Sequence, residues 1–283
     1  MPELPEVETI VRDLRPRLVG RTIGRAVLSH TDLLRGVTRR KLVAALAGAT
    51  IVSVERRAKH AVLGLEHTAP RSPFPAPRLV VQPGMTGSLI VHPRPLARAE
   101  AAYAVLRAPL DDGAELVYRD VRRLGTLLLL DPRGWAAYDA AIGPEPLADD
   151  WTPAALLRTL QGTRQAVKKV LMDQRKLAGV GNIYANEALW AARVDPSRPG
   201  FRVTAAEAEA LHGHVRRILQ AAIASHGTTL RDYRTGTGEE GSFQLELLAY
   251  GREGEPCRRC GTRLAGTHAI DARITVFCHR CQA

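Results

Sequence analysis

Cysteine is absent from the first 256 residues of this 283-residue chain; all four lie in the last 27. No disulfide framework can therefore staple the bulk of the molecule. Long apolar runs are also missing: nothing approaches the ~20 apolar residues of a membrane helix, and no signal-peptide core is seen. The expectation is a cytoplasmic protein without a membrane partner. Acidic residues are outnumbered, 29 against 40 basic, for a net charge of +11 and a pI near 10.1. That balance argues against cationic partners and points to a polyanion, most simply nucleic acid. Arginine-rich composition also accompanies GC-rich genomes, so charge alone does not choose between these readings. No signal for oligomerisation stands out, and a monomer is expected.

With 45% hydrophobic residues the chain can bury a substantial core, and its length suggests two domains. Val7, Ile10, Val11, Leu14 and Leu18 recur at helical spacing up to Gly20. Short β-type runs follow at 22–28, 50–54, 61–65, 79–82, 88–91, 103–108, 116–118 and 126–130, with a helix over 39–47. Turn residues punctuate them, which predicts a sandwich or flattened barrel. The run 69–77, with four prolines, reads as an exposed loop. Trp135–Trp151, rich in Pro, Gly, Ala and Asp, reads as an interdomain linker. Beyond it the pattern is helical: Thr152-Pro153 is a helix start, Thr163 opens a basic helix, and Thr204 with Glu207 forms a capping box. The expected class is α+β: a β-sandwich with flanking helices over 1–134, a linker over 135–151, a helical domain over 152–240 and a zinc finger over 241–283.

The cysteines carry the sharpest signal. Cys257-x2-Cys260, a 17-residue spacer, and Cys278-x2-Cys281 have the spacing of a four-thiolate structural zinc site. A bound zinc contributes about 10–16 kcal/mol to folding a hairpin that has no core of its own. The surrounding 27 residues carry five arginines against one aspartate.

The N-terminus carries the chemistry. Removal of Met1, favoured by the small Pro2, leaves a free secondary amine. An α-amine titrates at about 7.7–8.0, so roughly a tenth is an uncharged nucleophile at neutral pH. Attack on a sugar C1′ would give a covalent iminium, with Glu3 placed as general acid or base. The plainer reading is a proline-bearing first turn whose acids, Glu3 and Glu6, complement the helix dipole. Further on, Gly179-Val180-Gly181-Asn182 can aim backbone N–H groups at an anion; its plainer reading is a tight helix–helix turn. Arg231–Glu240, polar and glycine-rich, reads as a mobile loop.

The string MPELPEVETI resembles the start of formamidopyrimidine-DNA glycosylases, bacterial base-excision enzymes for oxidised purines. The resemblance recurs at Glu55–His60, Met85–Leu89, Asp120–Gly125, Asp173–Tyr184 and the cysteine tail, and so spans nearly the whole chain. It implies a Pro2 nucleophile, a Glu3 acid, a supporting Glu6 and a backbone phosphate gripped by Lys59. Met85, Arg122 and Leu124 would fill the space left by an everted base. Lys168 and Asn182, in a helix–two-turns–helix motif, would clasp phosphates, and Arg273 of the finger would enter the minor groove. The implied partner is double-stranded DNA carrying damaged bases or abasic sites, and the implied cofactor one structural zinc. The chain departs from the family pattern at His60 (usually Tyr), Gln82-Pro83 (His-Leu), Val121 (Pro) and Leu124 (Phe). An endonuclease VIII-like enzyme for oxidised pyrimidines and a catalytically inactive binder of damaged DNA are the alternatives.

Overall fold

The computed structural model describes residues 2–67 and 75–282. Most of the proline-rich run 69–77 thus lies outside the described residues. Met1–Ala140 with Ser225–Ser242 form one unit, and Ala141–Ala224 with Phe243–Ala283 form another.

The first unit is built on α1 (Leu4–Leu18) and two antiparallel four-stranded sheets. One sheet has the order β2 (Thr50–Arg57), β3 (His60–Glu66), β4 (Arg78–Gln82), β8 (Thr126–Leu130). The other runs β1 (Val27–Leu28), β6 (Ala104–Pro109), β7 (Glu115–Asp120), β5 (Gly87–His92). Val7, Ile10, Val11, Leu14 and Leu18 of α1 are fully buried and share one core with Leu63, Leu79 and Leu127 of the first sheet. Leu89, Leu106 and Tyr118 of the second sheet join the same core. This is the helical spacing meeting the two-residue alternation of strands. The strand expected over 22–28 is reduced to its last two residues. Thr22 and Ile23 make single bridges to Thr50 and Leu110 instead. The helix over 39–47 is present as α2 (Arg39–Leu46), capped by the Thr38 hydroxyl.

The linker expected over 135–151 is not a bare connection. Its first part is helical, α3 (Pro132–Ala140), because Pro132 suits a first helical position and Ala-Ala-Tyr-Asp-Ala carries no breaker. Its second part is built into the other unit: Gly143 N–H donates to Gln174 O, and Ala178 N–H to Pro144 O. The segment 225–240, expected with the helices, is hydrogen-bonded to α1 instead.

The second unit contains α4 (Pro153–Gln161), α5 (Val167–Met172), α6 (Asn182–Ala192), α7 (Ala205–Ala224) and the hairpin β9 (Ala265–Thr267)–β10 (Thr275–Phe277). The basic helix begins at Val167 rather than Thr163. The Thr163 hydroxyl accepts from Gln165 N, and the Val167 and Gly200 amides bond across 163–201 as an extended pair. The Thr204–Glu207 capping box is formed. The finger is not a free-standing domain; it packs on α6 through Trp190, Leu264 and Val276.

Candidate active site and nucleic-acid interface

Pro2 and Glu3 are buried at the N-terminus of α1. Glu6, one turn on, holds them there. Its Oε2 accepts from the Glu3 amide at 2.8 Å, and its Oε1 accepts from the Thr228 amide at 2.8 Å. The Tyr233 hydroxyl reaches the Glu6 carbonyl at 3.2 Å, and burial with the neighbouring Glu6 raises its pKa. Glu6 is thus buried, with each carboxylate oxygen accepting a backbone amide. Gly227 sits against it with φ +83°, and a Cβ there would lie 3.1 Å from the Glu6 side chain. The segment read as a mobile loop, 231–240, is pinned to α1. Gly236 N–H donates to Asp13 at 3.0 Å, and Tyr233 and Thr235 are buried.

Lys59 is buried at the β2–β3 turn, beside Ala58 in the left-handed region at φ +53°. Arg56 braces the turn, donating to Ala58 O at 3.1 Å and to Glu8 at 2.9 Å. Glu8 also takes Arg12 at 2.8 Å. Burial pushes the Glu8 carboxyl up, but the two arginines outweigh it and hold its pKa below the ordinary value.

Two loops carry the residues expected at the vacated base, and one buried carboxylate ties them together. Asp120, at the end of β7, receives the Thr86 hydroxyl on Oδ1, and the Gly125 amide (2.8 Å) and Tyr118 hydroxyl (3.2 Å) on Oδ2. Thr86 in turn accepts the Arg122 amide at 2.9 Å. Gly84 (φ +71°) lets the loops touch: a Cβ there would stand 2.6 Å from Gly125 N. The outcome is a rigid double loop that leaves Met85 43%, Val121 45% and Leu124 50% exposed. These apolar side chains thus stand about half in water on a buried polar frame. Arg122 is exposed on the same frame. Burial and Asp120 push the Tyr118 hydroxyl pKa strongly up, keeping it a donor.

In the second unit, Lys168, Asn182 and the finger converge on one carbonyl. Lys168 Nζ donates to Ile274 O (3.1 Å) and to the Thr275 hydroxyl (2.7 Å), and Asn182 Nδ2 donates to Ile274 O (3.1 Å). Lys168 is fully buried, with its ammonium on the finger's Ile274 carbonyl and Thr275 hydroxyl. Arg273, next to Ile274, is half exposed and is held by Asp271 at 3.3 Å. Burial opposes ionisation of Asp271, but Arg273 wins and its pKa is lowered. The glycine turn is set by Gln174, which accepts the Gly179 amide (2.8 Å) and donates to Met172 O and Val180 O.

The sulfurs of Cys257, Cys260, Cys278 and Cys281 all lie within 4.8 Å of one another. Four thiolates at about 2.3 Å from a tetrahedral zinc stand about 3.8 Å apart, so the four sulfurs are gathered close to the size of such a site. The hydroxyl and amide of Thr262 hold Cys260 down to about 6, while burial and its thiol neighbours push Cys281 up to about 12. The Gln282 side chain fixes the second knuckle, accepting from Cys278 N and donating to Val194 O.

Sequence reasoning did not single out Asp120, Glu187, Gln174 or Tyr138. Glu187 is buried in α6 and accepts the amides of Leu248, Ala249 and Tyr250 at 2.8–3.0 Å. Its signal was there, an acid inside the apolar run 183–192.

Residues 1–127 match the formamidopyrimidine-DNA glycosylase N-terminal domain, and residues 142–234 the formamidopyrimidine-DNA glycosylase H2TH domain. A formamidopyrimidine-DNA glycosylase of Chloroflexus aurantiacus is 42% identical over all of this chain and 98% of its own length. Among solved structures, the MutM (Fpg) protein of Thermus thermophilus is 36% identical with a TM-score of 0.84, over 99% of this chain and 98% of that one. The Lactococcus lactis Fpg (MutM) bound to DNA containing N7-benzyl-Fapy-dG is 30% identical with a TM-score of 0.88, over 99% of both chains.

Proposed function

This chain belongs to the formamidopyrimidine-DNA glycosylase family, and from that premise we propose that it is a bifunctional DNA glycosylase and abasic-site lyase excising oxidised purines from duplex DNA. The observation that carries the reading is the buried Pro2-Glu3 pair, whose backbone Glu6 fixes at the start of α1. A helix N-terminus favours the neutral form of an amine, so removal of Met1 leaves Pro2 a better nucleophile than a free-chain terminus. The Pro2 nitrogen attacks C1′, the C1′–base bond breaks, and the base leaves with a proton supplied through Glu3. The nitrogen gives up its proton, and its lone pair forms the C=N bond of an iminium as the C1′–O4′ bond breaks and O4′ takes up a proton. Loss of a C2′ proton expels the 3′ phosphate (β-elimination), and a second elimination expels the 5′ phosphate. Water releases Pro2 as the free amine.

Met85, Arg122 and Leu124 occupy the space of the everted base; apolar wedges of this kind include Leu and Met. Lys59, Lys168, Asn182 and Arg273 hold the flanking duplex. One zinc on the four cysteines orders the finger and takes no part in the chemistry. The enzyme would act as a monomer in the cytoplasm, where four unpaired thiols persist.

Borohydride trapping tests this, using a duplex with 8-oxoguanine opposite cytosine and an abasic duplex in parallel. An adduct mapped to Pro2 on both duplexes is expected. An adduct with the abasic duplex alone would move the substrate to another lesion, such as an oxidised pyrimidine. None with either, from protein lacking Met1, would leave a binder without chemistry.

A further inference from the structure

Helix α3 is nine residues long and buries none of them. A helix that short does not hold itself in water, and this one has no apolar seam to hold it. It is held instead by one face, the i, i+3, i+4 set Trp135, Tyr138 and Asp139. Each reaches a different strand of the same sheet. Trp135 lies under the Arg78 guanidinium of β4, 5.0 Å from ring centre to carbon. Asp139 takes Arg57 at the end of β2, Nε to Oδ1 at 2.5 Å, and its carbonyl takes the same guanidinium at 3.4 Å. Tyr138 meets His60 at the start of β3, hydroxyl to Nε2 at 3.1 Å, with the rings edge to face. His60 Nδ1 stands 3.1 Å from Arg57 O, an acceptor only, so in the neutral ring Nδ1 carries the proton and Nε2 accepts from Tyr138.

Arg57 and His60 are the two ends of the turn Arg57-Ala58-Lys59-His60, whose Ala58 stands in the left-handed region. A non-glycine residue keeps that conformation only where its surroundings impose it. Arg56 imposes it from the α1 side, and α3 grips both ends from the other. We propose that α3 is a clamp for the Lys59 turn, with Tyr138 and Asp139 as positioning residues for the DNA contact made by Lys59. The proposal rests on the reading of Lys59 given above and adds how that lysine is aimed.

Charge alone predicts the opposite sign to positioning. Deleting Asp139 removes a negative charge from a DNA-binding protein and should tighten binding, whereas loss of the clamp should weaken it. The test measures Kd by fluorescence anisotropy on a duplex carrying a non-hydrolysable tetrahydrofuran abasic analogue. The proteins are wild type, Tyr138→Phe, Asp139→Ala, Lys59→Ala and the two doubles with Lys59→Ala. Each α3 variant is expected to bind about fivefold more weakly, the partial loss of one phosphate contact, and the doubles no more weakly than Lys59→Ala. Tighter binding by Asp139→Ala, or the same losses recurring in the Lys59→Ala background, would overturn the clamp while leaving the Lys59 reading intact. An inert Lys59→Ala would overturn both. Asp139 is 44% exposed in its ion pair, so melting temperatures should hardly move. Should Asp139→Ala nonetheless misfold, Tyr138→Phe, which removes one hydroxyl, decides alone.

Discussion

Asp120→Ala should disable base eversion while leaving ordinary duplex binding in place. The carboxylate is buried and accepts three hydrogen bonds, from the Thr86 hydroxyl, the Gly125 amide and the Tyr118 hydroxyl. A hydrogen bond to a charged acceptor contributes about 1.5–3 kcal/mol, and a buried donor left unmet costs about 1–3. The nominal loss is therefore roughly 4–9 kcal/mol, which would consume much of a typical stability of about 5–15 kcal/mol. The donors lie under exposed loops, so water reaches them once the loops part, and about 3–4 kcal/mol is the expected global cost. Asp120→Asn keeps one carbonyl oxygen but turns an NH2 toward donors, and should cost about half as much. Both variants uncouple the loop holding Met85 from the loop holding Arg122 and Leu124. Single-turnover excision of 8-oxoguanine should fall by about two orders of magnitude for Asp120→Ala, the scale of a misplacement of about 1 Å. Affinity for undamaged duplex should change less than about threefold, since phosphate contacts carry it. Wild-type excision by a folded Asp120→Ala protein would refute the argument. So would a loss of excision no greater than the loss of non-specific binding.

Other outcomes follow from the same contacts. Glu6→Gln presents an NH2 to one of two buried amides, and should lower stability by about 1–3 kcal/mol. It should also slow Schiff-base trapping on abasic DNA, which stopped-quench assays would read. Lys168→Ala should weaken binding to damaged and undamaged duplexes alike and flatten the log Kd against log salt slope by about one unit. An unchanged slope would assign Lys168 only to holding Ile274 and Thr275. Chelation of the metal, or Cys260→Ser, should unfold the hairpin and abolish DNA binding, with metal analysis of wild type returning one zinc per chain; a zinc-free active enzyme would end that idea. Glu8 has a lowered pKa in the fold, so its contribution is present above the unfolded carboxylate value near 4.5 and is lost as pH falls through the folded one. Glu8→Gln should thus melt earlier than wild type at pH 7, and the gap should close as pH falls below the unfolded carboxylate value near 4.5.

Much of what has a local physical basis was legible in the sequence, although the strand over 22–28, the helix start at Thr163 and the helix Pro132–Ala140 were not. The helical stripe Val7–Leu18 needed only a period of 3.6, and the eight β-runs only alternation and turns. The Thr204–Glu207 box needed only capping chemistry, and the candidate metal site only two Cys-x2-Cys knuckles, whose four sulfurs the fold gathers. Proline as the second residue, with two glutamates behind it, suggested a nucleophile from position alone, because an α-amine is less basic than a lysine. Tertiary structure alone decided what each polar group spends its hydrogen bonds on, because partners distant in sequence have no periodicity to read. Glu6 could be a helix-dipole acid or a ligand until Thr228, 222 residues away, took one of its oxygens. Asp120 looked like one residue of a loop until Thr86 and Gly125 met on it. Lys168 read as a phosphate clasp on a basic helix, and only the fold shows it buried with its ammonium on the finger's Thr275. The segment 135–151 read as a linker because its composition is that of a loop, and the face Trp135-Tyr138-Asp139 has no meaning until Arg78, His60 and Arg57 stand opposite it.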